Sequence, residues 1–202
     1  MLRWPLERRD LDDAACVHVG RLPDELVPDP AEFDRWWALH PESFHEIRMH
    51  GKLVKTPRWQ QAYGADYRYT GNTNRALPVP DAFARIHAWI RDELDARING
   101  LLLNWYDAER GQYIGKHRDS TIDMIEGAPI VTLSFGAART FRIRRWKGDA
   151  THDFPTGNGT VLVMPYDTNL QWTHEVPHSA KVLGRRISIT GTAFEVSDGR
   201  RT

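Results

Sequence analysis

The sequence predicts an α+β fold, a helical first half packed on a β-rich second half, and two observations carry that expectation. Residues 81–99 (DAFARIHAWIRDELDARIN) set Phe83, Ile86, Trp89, Ile90, Leu94 and Ile98 along one helical stripe, with Asp81 available to cap the first turn. After Gly100 the texture changes to short β-rich runs, LLLNWY, YIGKH, IVTLSFG, RTFRIRR, TVLVMP and RISITGTAF, separated by Gly, Asp or Pro. Seven or eight such strands make a sandwich or jelly roll, which leaves a pocket between two sheets.

The elements before that helix follow from local signals. Asp29 precedes AEFDRWWAL, whose apolar spacing predicts a short helix over residues 31–39. The Trp36-Trp37 pair on it is expected in the core. Residues 45–49 predict a strand broken at Gly51, and residues 52–71 are polar and aromatic, with turns at Pro57 and Gly64 and a strand near Tyr67–Tyr69. Residues 72–80 read as a loop closed by prolines. Residues 1–47 carry no motif and are expected to form an N-terminal extension.

Composition bounds the rest. A chain of 202 residues with 41% hydrophobic and 27% charged residues fits one globular domain, residues 1–202, and excludes a disordered or fibrous class. Lys plus Arg and Asp plus Glu are both 27, so the net charge is zero, unlike a protein whose main task is coating nucleic acid. The single Cys16 excludes a disulfide scaffold and suits a reducing compartment. No apolar run approaches the roughly 18 residues of a membrane span, and the first residues lack the apolar stretch of a secretory leader. A soluble, cytoplasmic protein is the expectation.

The chemical signal is His117-Arg118-Asp119 followed by His174. On a strand, residues i and i+2 point to one side, so the imidazole and the carboxylate can converge on one ion. Two His and one carboxylate form the facial triad of non-haem Fe(II) oxygenases. Asn104 and Tyr106 share one face of the strand before His117, and Arg186 follows His174 by twelve residues on RISIT. A guanidinium pointing inward needs an anion, and its fork of donors fits a carboxylate.

With these parts in this order, the chain resembles the AlkB-like Fe(II)/2-oxoglutarate dioxygenases, and most closely the branch that repairs alkylated DNA. GKLVKTPRWQQAYG, NWYDAERGQYIGKHRD, GAPIVTLSFGAARTFRIR and WTHEVP followed by RISIT resemble successive blocks of that family, over about Arg48 to Phe194. The resemblance implies a double-stranded β-helix over residues 100–195, with residues 48–80 as a lid over the pocket. It implies that His117, Asp119 and His174 bind Fe(II) as the catalytic centre. It implies that Asn104, Tyr106 and Arg186 bind 2-oxoglutarate, Arg186 pairing with the distal carboxylate. With O₂, the cosubstrate would give succinate and CO₂ while a C–H bond is oxidised, and an N-methyl group would leave as formaldehyde. Arg58, Tyr67 and Tyr69 fall where the family contacts a flipped base.

The chain departs from the family at three places. Thr192 stands where repair enzymes carry a second Arg, six residues after Arg186, so another cation such as Arg139 or Arg142 would have to substitute. Ser120 and Thr121 replace two acidic residues after His-x-Asp, one of which, at the position of Thr121, helps recognise the base. Of the wedge Arg48-Met49-His50, only Met49 is of the kind that enters a base stack. Arg139–Arg145 followed by Trp146 and Lys147 is the remaining candidate for phosphate contacts, with Arg142 and Arg144 on one face and Arg145 opposite. Three expectations stand side by side: dealkylation of bases in DNA or RNA; oxidation of a small molecule, free nucleotide or protein side chain; and a non-catalytic binding module.

Overall fold

A computed structural model describes residues 3–49, 52–69 and 71–195, the side chains of Arg48 and Met49 excepted. In chain order its elements are β1 (Glu7–Asp10), β2 (Cys16–Arg21), α1 (Pro30–Trp37), β3 (Glu46–Met49), β4 (Lys52–Lys55), β5 (Trp59–Tyr63), β6 (Tyr67–Tyr69), β7 (Asn72–Asn74), β8 (Ala76–Leu77) and α2 (Asp81–Glu93). They continue as β9 (Gly100–Asp107), β10 (Ile114–His117), β11 (Ile130–Gly136), β12 (Arg139–Arg145), β13 (Thr151–Thr156), β14 (Thr160–Met164), α3 (Tyr166–Gln171), β15 (Trp172–Val176) and β16 (Arg185–Thr192). An eight-stranded sheet runs in the order β1-β2-β14-β11-β16-β9-β5-β8, and a four-stranded sheet in the order β10-β15-β12-β13. The hairpins β3–β4 and β6–β7 stand apart from both. This is the expected α+β jelly roll, with helices outside and hairpins at its mouth.

Strand alternation gives the large sheet two different faces. Trp105, Leu103, Ile187, Ile189, Leu133 and Phe135 point outward and are fully buried, because the helices cover them. Trp36 of α1 packs edge-on against Phe83 of α2 and Phe135 of β11, with ring centroids 5.3 and 5.1 Å apart, and its carbonyl accepts the Trp105 indole N–H at 3.0 Å. A side chain at Gly191 would press on Ile98 at 3.2 Å, so the α2 segment seats closely there because that position is glycine. The opposite face of the same strands turns polar and looks toward the four-stranded sheet.

Several expectations are corrected. Residues 1–47 are not an appendage: β2 pairs with β14 and β1 with β2, extending the large sheet. Within the segment 48–80, expected as a lid, β5 pairs with β9 and β8 with β5 inside that sheet. The loop expected over residues 72–80 contains β7 and β8. The helix expected over 81–99 ends at Glu93, where Asp95 captures the backbone N–H and guanidinium of Arg97 and diverts the chain; Leu94 and Ile98 stay buried from the following turn. Pro80, not Asp81, is its N-cap. Asp29 does cap α1, accepting the Glu32 N–H at 2.7 Å.

Candidate active site

His117 closes β10, and the antiparallel ladder sets it directly opposite His174 on β15, their ring centroids 4.3 Å apart. Asp119 lies beyond the end of the strand, not on it as the i, i+2 argument supposed. Its position is set by Asn169 on α3, which is 1% exposed. The Asp119 N–H donates to Asn169 Oδ1 and the Asn169 amide donates back to the Asp119 carbonyl, both at 3.0 Å. This reciprocal pair returns the carboxylate to the two rings, with Oδ1 3.8 Å from His117 Nε2 and Oδ2 3.6 Å from His174 Nε2. All three donor atoms lie within 4.8 Å of one another. Two imidazoles and one carboxylate on one side of an open cavity fit Fe(II), with the remaining positions left to other ligands.

The surroundings hold these groups in the form a metal needs. Burial first, then the neighbouring His174, hold His117 well below the ordinary imidazole value, against the opposing pull of Asp119. Burial likewise lowers His174. Both rings are therefore neutral near pH 7, as ligands must be. His117 Nδ1 meets the Gly115 carbonyl at 2.8 Å, which leaves Nε2 with its lone pair for the ion. Phe141 stacks on His174 at 5.2 Å and 16°. The Tyr67 hydroxyl donates to Asp119 Oδ1 at 3.1 Å and accepts the Ser120 N–H at 3.3 Å. Burial and the Asp119 charge raise the Tyr67 phenol well above its usual value, so it stays a donor.

The facing wall is the inner side of the large sheet. Its register lines up Gln60, Asn104, Ser188, Ser134 and Thr160 as a polar row across five strands. The adjacent row brings Tyr106 opposite Arg186. Arg186 is 1% exposed, its guanidinium 5.1 Å from the Tyr106 ring, and its Nη2 donates to Ser134 Oγ at 2.8 Å. Its Nε and Nη1 are buried without a hydrogen-bond partner. Burial lowers its pKa, though a guanidinium stays charged near neutrality. A buried cation with idle donors is costly unless an anion arrives, so this wall can hold a carboxylate. Arg58 donates from Nε to Asn104 Oδ1 at 2.7 Å, which leaves the Asn104 amide N–H groups for a second oxygen.

Between these walls lies a cavity of about 1110 Å³. That exceeds the roughly 300–1,000 Å³ of a drug-sized pocket, which is room for a cosubstrate and a second molecule. Arg58, Tyr67, Tyr69 and Thr121, expected to meet substrate, all line it, as do Asn104 and Tyr106. Thr192 does not: it is buried at the far end of β16, opposite Gly100. The substitutes considered for it fare differently. Arg142 points outward to Asp153 at 2.6 Å, whereas Arg139 is buried, donating to the Gln112 and Pro177 carbonyls and acting on Arg186 through its charge. In the basic run that was the candidate for phosphate contacts, Arg144 sits on Glu175 at 2.9 Å and Arg145 on Asp12 at 3.0 Å. The side chain of the candidate wedge Met49 lies outside the described residues.

Sequence reasoning missed Asn169, Gln60 and Ser134. Ser134 was within reach: Thr132 and Ser134 alternate with Val131, Leu133 and Phe135, which marks a polar face on a buried strand. Asn169 and Gln60 offer no spacing rule, because each acts across the fold.

The comparisons agree with this geometry. The sequence profile of the 2OG-Fe(II) oxygenase superfamily matches residues 24–191. The DNA oxidative demethylase ALKBH2 of Homo sapiens is 32% identical over 155 residues, 71% of this chain and 59% of that protein. The alpha-ketoglutarate-dependent dioxygenase alkB homolog 3 of Rattus norvegicus is 26% identical over 196 residues, 93% of this chain and 58% of that one. The chain thus spans somewhat under two thirds of these relatives' length. The solved structure of OsALKBH1 superposes with a TM-score of 0.59 at 14% identity, covering 93% of this chain and 99% of the other, and so shares its fold. A facial triad and a buried arginine with idle donors inside a jelly roll, matched by that profile over most of the sequence, make this chain a member of the 2OG-Fe(II) oxygenase superfamily, AlkB-like in kind, with Fe(II), 2-oxoglutarate and O₂ as its cofactors.

Proposed function

We propose that the domain oxidatively removes N-alkyl groups from nucleic-acid bases. One observation carries the reading. The donor set of His117, Asp119 and His174 lines one cavity together with Asn104 and Tyr106, Arg186 lies against the Tyr106 ring with idle donors, and the cavity also carries aromatic side chains from Tyr69 and Trp146 that suit a planar guest. The name of the human relative, a DNA oxidative demethylase, points the same way.

Each residue then has a task. His117, Asp119 and His174 hold the iron, and Asn169 and Tyr67 fix the carboxylate among them. Arg186, with its idle donors beside Tyr106, would hold a carboxylate of 2-oxoglutarate, and the Asn104 amide would donate to the same molecule. Phe141 covers His174 and keeps water from that side. When bound, the iron and 2-oxoglutarate supply oxidation of a C–H bond by O₂, yielding succinate and CO₂. On an N-methyl group the new carbinol carbon leaves as formaldehyde, its C–N electron pair returning to the base nitrogen and the hydroxyl proton going to that nitrogen in a neutral base or to solvent in a cationic one.

A second reading, oxidation of a small molecule, free nucleotide or protein side chain, is favoured by the pairing of Arg142, Arg144 and Arg145 with acidic partners, which leaves little charge for a phosphate backbone. The test is 2-oxoglutarate turnover with Fe(II) and ascorbate, with and without N-methylated oligonucleotides, in wild type and Asp119→Ala. Formaldehyde release stimulated by a methylated oligonucleotide and lost in the variant is expected. Turnover that no methylated oligonucleotide stimulates would discard the nucleic-acid reading in favour of the second.

A further inference from the structure

The charges lining the cavity are lopsided. Lys55, Arg58, Lys116 and Arg118 contribute cations, and among the described residues the one ionisable acid on the wall is Asp119. That carboxylate belongs to the metal donor set and already accepts from Tyr67. The next two wall positions are Ser120 and Thr121, whose hydroxyls carry no charge. A guest therefore finds no carboxylate that is not already committed.

Arg58 sharpens the imbalance. It is 8% exposed, and its partners are neutral: Asn104 Oδ1 at 2.7 Å and Gln60 Oε1 at 3.0 Å. Gln60 in turn donates to the Tyr69 hydroxyl at 3.1 Å, so the guanidinium is braced against a ring at the cavity mouth. Its hydrogen bonds to these partners run from Nε and Nη2, and the side chain lines the cavity. In a cavity of low dielectric a fixed cation repels another cation strongly and attracts a carbonyl oxygen. The exposed alkyl groups at the rim, Ile122 and Leu170, add an apolar surface with no charge for a cationic guest.

We propose that the site selects N-alkylated bases that are uncharged at neutral pH and carry a ring carbonyl, over N-alkylated bases that are cationic, with Arg58 as the specificity-determining donor. The inference rests on the dealkylation reading above and narrows its substrate class.

The test compares matched pairs in one single-stranded sequence: 3-methylthymine against 3-methylcytosine, and 1-methylguanine against 1-methyladenine. The first of each pair is neutral with a carbonyl, the second cationic. Dealkylation kcat/KM is measured with the Fe(II)-loaded protein, and equilibrium binding of each oligonucleotide with the iron-free chain. The expected result is a preference of about tenfold or more for the neutral member in both readouts. Thr121→Glu, which adds a carboxylate to the wall, shrinks or reverses it, and Arg58→Gln weakens it. Equal or better processing of the cationic members by wild type would overturn this proposal while leaving dealkylation intact. If no member is bound or processed although 2-oxoglutarate is consumed, the dealkylation reading fails and this inference falls with it.

Discussion

Two sets of arginines in this molecule behave in opposite ways. On the outer face of the four-stranded sheet, Arg142 and Arg144 each sit on a carboxylate, Asp153 and Glu175, in reach of solvent. On the inner face of the large sheet, Arg186 is sealed from solvent with two nitrogens unpartnered. The outer set resembles ordinary surface ion pairs, which contribute about 0–1 kcal/mol each. The inner one is a cost to the empty fold that is offset only when an anion binds. What distinguishes a binding arginine here is thus the absence of an acid beside it. Sequence alternation locates the faces, but the partners decide the role.

The largest expected contrast is in ligand stabilisation. Arg186→Met should unfold no earlier than wild type without ligand, because an unpaired buried charge is exchanged for packing. It should also lose most of the stabilisation that 2-oxoglutarate confers on wild type, which is about 2.7 kcal/mol at a hundredfold excess over Kd. Thermal melts with and without the cosubstrate check both halves. Asn169→Ala tests the opposite kind of residue, one fully occupied by protein. Its loss frees both backbone groups of Asp119, and metal affinity should fall about 10–100-fold while Arg186 is untouched. Competition against a chelator measures it.

The pH response should be smaller and one-sided. His18, His45 and His87 are all lowered, by burial first and then by Arg8 for His18 and Arg58 for His45; for His87 the Ile98 carbonyl opposes the burial. Below the unfolded value of about 6.5 the unfolded chain takes up protons that the folded chain refuses, so stability rises with pH. Their contribution is complete above that value and is lost as pH falls from it through the lowered folded values. Urea midpoints should drop between pH 7 and pH 5 and stay level from pH 7 to pH 8. Smallest of all, Arg144→Met should change stability by about 0–1 kcal/mol and leave 2-oxoglutarate binding as it was.

The contrast also explains what the sequence made legible. His117, Asp119 and His174 were readable because few residue types bind Fe(II) and because their order resembles that of the AlkB-like family. Asn104, Tyr106 and Arg186 were readable because strand alternation sets their side. The clamp on Asp119 was not, since Asn169 reaches it from a six-residue helix fifty positions away in the chain. The end of α2 was missed because apolar spacing continues through Leu94 and Ile98 while Asp95 rewires the backbone between them. The basic run misled because net positive sequence says nothing of Asp12, Asp153 and Glu175 folding back against it. The first two strands were invisible as part of the sheet, since their partner β14 lies more than a hundred residues away.

The most direct measurement is a calorimetric titration of 2-oxoglutarate into anaerobic, Fe(II)-loaded wild type, Arg186→Met and Arg144→Met. Binding with one site per chain is expected in wild type and Arg144→Met, and binding weakened by about thirtyfold or more in Arg186→Met, the cost of removing one partner from a buried charge pair. Equal affinity in all three proteins would contradict the account, because the unpartnered arginine would then not be where the cosubstrate is held.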